Sequence, residues 1–105
     1  MNAVYNGSEP GINKAAAEWL TSQKVVLVGA DTWAVEVIPG ESAAVAFPVH
    51  VHLLADNGVH IIENVRTDLI AAAAQKDGRA TFFLNMTVPK AVGFTGTFIA
   101  IEAIR

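Results

Sequence analysis

Apolar and polar positions along the chain alternate between helical and strand-like spacing. From Ile12 to Gln23, the residues Ile12, Ala15, Ala16, Trp19 and Leu20 follow the i, i+3, i+4, i+7, i+8 spacing of an amphipathic helix. Asn13 stands where an N-cap belongs, and Trp19 is expected to anchor the core. Residues 24–29, KVVLVG, are a continuous apolar run closed by glycine, which predicts a buried parallel strand. Trp33 to Ile38 alternates only weakly, with Glu36 between two valines. Residues 39–42 read as a turn, and the stretch through Ala46 is expected to be irregular. Phe47 to Asn57 predicts a second helix, with Pro48 at its first position and Gly58 as a left-handed stop. Residues 59–64, VHIIEN, predict a second buried strand.

Arg66 to Lys76 is an alanine-rich helical stretch, with Asp68 near its positive end and Gly78 beyond it. Residues 81–88 and 96–104 are β-rich runs joined by PKAVGFT, which allows an antiparallel pair. Residues 1–11, with Asn6-Gly7-Ser8 and Pro10-Gly11, read as a loop or a frayed start. The expected fold is an α/β domain with two or three helices packed on a mixed sheet. Parallel strands are expected near 24–29 and 59–63, and an antiparallel pair near 81–88 and 96–104.

Composition narrows the class. At 105 residues the chain is expected to form one domain. With 52% hydrophobic and 16% charged residues, it can fill a core and does not have the composition of a disordered segment. A net charge of −3 without a basic cluster argues against nucleic acid or an anionic membrane as partner. The absence of cysteine excludes disulfides and thiolate zinc sites and is consistent with a cytoplasmic location. No apolar run approaches the roughly 18 residues of a membrane span, and no basic segment precedes an apolar one at the start as in a signal peptide.

All three histidines lie in residues 47–64, FPVHVHLLADNGVHIIEN. On a helix His50 and His52 point about 200° apart, so at most one faces a shared site. On a strand His60 and Glu63 face opposite sides. The pair able to serve acid/base chemistry or a metal is therefore one helix histidine with Glu63. A catalytic zinc takes three protein ligands and an open position. The pair supplies two, with Asp31 or Glu36 as distant extras. Asp31, Thr32 and Trp33 follow the first strand, where α/β sheets border their ligand crevice, and Trp33 is the candidate substrate-lining residue. The chain has no HExxH, no phosphate-cradling glycine loop and no GxSxG.

Two stretches, GADTWAVEVIPGE at 29–41 and FPVHVHLLADNGVHIIENV at 47–65, together resemble the cyclase family of metal-dependent hydrolases. That family includes bacterial kynurenine formamidase-like enzymes and isatin hydrolase. EPGINKAAAEWL and TFFLNMTVPKAVGFTGTFIAIEAIR are similar to the same family's C-terminal half. The resemblance implies a swivelling β/β/α fold. It implies hydrolysis of a small-molecule amide, an aryl formamide of the kind met in tryptophan catabolism or a cyclic amide, by water activated on zinc or manganese. It also selects His50 over His52, because His50 precedes Leu53-Leu54, a glycine, an apolar strand and Glu-Asn in the family's pattern. His50 and Glu63 are then the implied catalytic and metal residues. The family's HxGTHxDxxxH-type ligand motif is absent, and residues 91–97 depart from its usual closing loop. The implied state is a fragment, inactive alone, that works with a complementing N-terminal half or as a homo-oligomer. The alternative is a non-catalytic α/β module for oligomerisation or partner binding.

Overall fold

The computed structural model describes Val4 and residues 7–105. Part of the expected opening loop, including Asn6, lies outside the described residues. The chain divides into two compact units, Met1–Thr67 and Asp68–Arg105.

In the first unit, helix α1 spans Lys14–Ser22. Asn13 caps it as expected, its Oδ1 accepting from the Ala16 N–H at 2.9 Å. The Asn13 amide also donates to Glu41 Oε1 at 3.2 Å, and Glu41 Oε2 accepts from the Lys14 N–H at 3.3 Å. Asn13→Ala is therefore expected to cost about 1 kcal/mol. A lower urea midpoint with unchanged slope is the reading that checks it.

The buried line of α1 differs from the expected one. Ala17 is fully buried, while Trp19 is 62% exposed and Ala15 is also exposed. Trp19 follows Ala17 by two positions and so points about 200° away from it. Ile12 is not in the helix. It lies in extended backbone bridged to Glu36, and Glu9 bridges Ile38. Residues 9–12 are thus paired rather than frayed, and the nominally irregular stretch around Glu36 is their partner.

Strand β1, Leu27–Gly29, pairs in parallel with β2, His60–Ile62, in the register Leu27↔His60, Val28↔Ile61 and Gly29↔Ile62. Between them lies the second helix, which winds in two ways. Helix α2 is a single α-helical turn, Pro48–His50, with proline in its first turn as expected. It continues as a π-helical segment, Val51–Asp56, rather than as the regular α-helix the spacing predicts. Six residues are too few for hydrophobic periodicity to separate the two windings, and π segments are frequent near functional sites. Gly58, at φ 64°, then turns the chain into β2. The core is Ala17, Val35, Val49, Leu53 and Val59, with Ile12, Val25, Val28, Ala30 and Ile61 packed against it.

The second unit contains α3, Asp68–Asp77, and an antiparallel pair, β3 (Phe83–Thr87) and β4 (Ala100–Ile104). Asn85 and Glu102 are directly opposed across the pair and hydrogen-bonded at 3.3 Å. The Arg105 guanidinium ties the end of β4 to Asp77 and to the Arg79 carbonyl. None of its residues is fully buried. The α/β class stands, with the parallel pair in one sheet and the antiparallel pair in another. Among the described residues, no helix is long and apolar enough to cross a membrane.

Candidate functional site

The site is built where the first turn of α2 meets the end of β2. Helix α2 is preceded by Phe47 at its N-cap, whose φ of 54° is left-handed and whose side chain cannot cap a helix. Such a backbone costs on the order of 1–3 kcal/mol and persists only where its surroundings impose it. Capping comes instead from a residue distant in sequence. Glu36, 1% exposed, accepts from the Val49 N–H at 3.4 Å and from the His50 N–H at 2.9 Å. These donors belong to the orphan groups of the helix start, and a carboxylate also suits that end electrostatically.

The same Glu36 oxygen lies 2.5 Å from His50 Nδ1. On the other side of the ring, His50 Nε2 lies 3.0 Å from Glu63 Oε1, which also accepts from the Val35 N–H at 3.0 Å. Glu63 is carried just past β2. Backbone bonds Asn64 N–H to Thr32 O at 2.9 Å and Val65 N–H to Ala30 O at 3.1 Å hold the chain there. His50 and Glu63 are therefore in direct contact, as one helix histidine with Glu63 should be. Both ring nitrogens face carboxylate oxygens, and an ionised carboxylate only accepts. Each contact therefore needs a proton. Glu36, His50 and Glu63 form a continuous carboxylate–imidazole–carboxylate chain, an arrangement suited to moving a proton between a buried end and a partly exposed one.

Trp33, Ala34, Phe47, His50 and Glu63 line an open cleft of about 360 Å³. Its walls are aromatic. The Trp33 and Phe47 rings meet edge to face with centroids 6.2 Å apart, and Phe47 meets the His50 ring in the same way at 5.4 Å. The backbone below Trp33 is held by Glu9, whose carboxylate accepts from the Trp33 N–H at 3.1 Å and the Ala34 N–H at 2.7 Å.

The other candidates are elsewhere. His52 Nε2 lies 3.1 Å from Thr21 Oγ1, and the His52 ring also lies near the Asn57 amide. His60 is exposed on β2. Asp31 is exposed and accepts from Thr67 Oγ1 at 3.1 Å, while Thr32 donates to the Ala34 carbonyl at 2.6 Å. Glu36, placed by sequence reasoning as a distant extra, instead contacts the histidine itself. The available signal was a carboxylate between two valines, since an acidic side chain is rarely fully buried without partners. Glu9 and Phe47 carried no comparable signal.

Compared with known families, residues 1–37 match the sequence profile of the Cyclase family. The match covers about a third of the chain and shows similarity to that family over those residues. It takes in Glu9, Trp33 and Glu36 and stops before His50 and Glu63. No curated protein and no solved structure matches the chain.

The cyclase resemblance implies zinc or manganese. His50 Nε2 and the Glu63 carboxylate are adjacent donors of a suitable kind. A carboxylate on the far nitrogen of the ring, as Glu36 is here, is the usual outer partner of a ligating histidine. Yet among the described residues no group of three His, Cys, Asp or Glu side chains is arranged to hold a metal ion. A catalytic zinc takes about three protein ligands. The described residues therefore do not make a metal site by themselves.

Proposed function

We propose that this chain supplies part of the active site of a metal-dependent amide hydrolase of the cyclase family, acting on an aryl formamide or small cyclic amide. The reading rests above all on the contact between His50 and Glu63 at the edge of an aromatic-walled cleft. In this reading Trp33 and Phe47 hold a flat ring and keep water from it. Glu63 takes up and returns the proton that must reach the leaving amine. His50 Nε2 and Glu63 would also be among the groups that hold a divalent ion, together with donors supplied from beyond the described residues. The chain is then a fragment in the functional sense, inactive or nearly so alone.

The test mixes the chain with a polypeptide carrying an HxGTHxD segment of the family and follows aryl formamide hydrolysis with and without zinc or manganese. Metal-dependent hydrolysis is expected only in the mixture, and is expected to be lost on His50→Ala or Glu63→Ala. A reconstituted protein that folds but never binds a divalent metal would count against the proposal.

A second reading, a non-catalytic α/β module that oligomerises or binds a partner, draws on the C-terminal unit. Phe98 there is 98% exposed, and Leu69, Phe83 and Phe94 are also exposed. A stable, metal-free oligomer of the isolated chain, unchanged by either substitution, would favour this reading.

A further inference from the structure

We infer that Glu36 is the positioning residue of this site: it holds a proton of the His50 ring on Nδ1 and so makes Nε2 the nitrogen presented to Glu63 and the cleft. The hydrolase reading is needed only to call Nε2 the working nitrogen. The state of the ring can be measured without any activity.

The inference starts from what Glu36 does beyond capping. Capping the helix start requires only the Val49 and His50 backbone N–H groups, and Glu36 meets both. The contact with His50 Nδ1, at 2.5 Å, is additional and is the shortest of the three. Both Glu36 oxygens already accept backbone N–H groups, so Glu36 meets the ring as an acceptor and the ring nitrogen is the donor. Hydrogen bonds to a charged acceptor are among the stronger ones.

Rotating the ring by half a turn would place a carbon against this oxygen. A buried carboxylate would then lose its side-chain donor, and leaving such a group short of partners is costly. Glu36 cannot follow the ring, because its own backbone is bridged to Ile12 and its neighbours Val35 and Val37 are bonded to that residue. The ring orientation and the location of its first proton are therefore set from the buried side. The Nε2 side, toward the half-buried Glu63, is left to respond to whatever enters the cleft.

The test is long-range proton–nitrogen NMR of the histidine rings in the intact ¹⁵N-labelled chain. His50 is identified by the resonances missing from His50→Gln, with His52 and His60 as internal references. In the native chain the Nδ1 resonance is expected at the protonated end of the ring nitrogen range. Glu36→Gln keeps a carbonyl oxygen where the accepting oxygen stood and is expected to keep Nδ1 protonated. Glu36→Leu is expected to leave the ring with its proton on Nε2, toward Glu63, and to shift Nδ1 to the unprotonated end.

If Glu36 only caps the helix, both variants would lower stability and neither would move the ring proton. An unprotonated Nδ1 in the native chain, or a protonated one retained in a folded Glu36→Leu variant, would overturn the inference. Should Glu36→Leu fail to fold, Glu36→Met, closer to glutamate in length and without an acceptor oxygen, is read in its place. Loss of the Nδ1 proton there supports the inference, and its retention overturns it. The hydrolase reading would fail separately, in the mixing experiment, whatever these spectra show.

Discussion

Gly11→Ala is expected to destabilise the N-terminal unit severely. A Cβ at position 11 would lie 2.3 Å from the Glu36 carbonyl carbon, 2.4 Å from the Val37 nitrogen and 2.6 Å from the Glu36 oxygen. All three are backbone atoms, so no change of rotamer relieves the overlap, and the two segments must part. Their separation would break the pairing that flanks Gly11. Ile12 N–H to Val35 O at 3.0 Å and Val37 N–H to Ile12 O at 3.1 Å lie on one side, with Glu9 N–H to Ile38 O at 2.9 Å and Ile38 N–H to Glu9 O at 3.1 Å on the other. Each such bond contributes about 1 kcal/mol net. The expected loss is on the order of 4 kcal/mol, a large share of the roughly 5–15 kcal/mol that holds a typical domain.

Glu36 would move with the separated segment and leave the His50 N–H and ring without their acceptor. Thermal and urea unfolding of Gly11→Ala, beside the parent chain, is the direct measurement. A midpoint equal to the parent's would show that the two segments do not approach as closely as described.

The parts of this architecture that were legible in the sequence are those set by local chemistry. Asn13 caps α1, Pro48 opens α2, and Gly58 takes the positive φ that ends the π segment, each because neighbouring backbone requires that residue type. The apolar runs gave both strand pairs. Periodicity also showed that only one of His50 and His52 could meet Glu63, and the geometry brings His50 there.

Trp19 was misplaced for a physical reason. Counting Ile12 as the first apolar position of the helix set the phase, yet Ile12 is paired in extended backbone. Without it, a helix rich in alanine says little about its own buried side, because alanine buries little apolar surface in any direction. Glu36 was placed too far from the histidine, and Glu9 was missed, because their partners lie 13 to 25 residues away in sequence. Such contacts depend on how elements pack, which spacing along one segment does not record. The hairpin of the C-terminal unit has a related limit. Leu84, Met86, Ile101 and Ala103 share one apolar face, and alternation reveals that face without indicating what meets it.

Leu53→Ala is expected to cost about 2–5 kcal/mol, the range for truncating a leucine in a packed core. Leu53 is fully buried and lies in the π segment, among Ala17, Val35, Val49 and Val59. No other residue of that cluster is as large, so small neighbours would have to move far to fill the space. The Leu53 carbonyl still accepts from the Val59 N–H at 2.8 Å, a backbone tie the substitution leaves intact. The loss should therefore be one of packing.

Its effect would reach the site through the winding itself, because His50 lies three residues before Leu53 and Val49, its neighbour, packs in the same cluster. Faster hydrogen exchange is expected at the Val51 N–H, which bonds the Phe47 carbonyl across the same turn at 3.1 Å. Leu54→Ala is the matched comparison: Leu54 is exposed, and its truncation should change stability by no more than about 0.5 kcal/mol. Urea midpoints of the two variants measure the difference. If the two are equally mild, Leu53 is not the centre of this core, and the support it gives to the turn carrying His50 is absent.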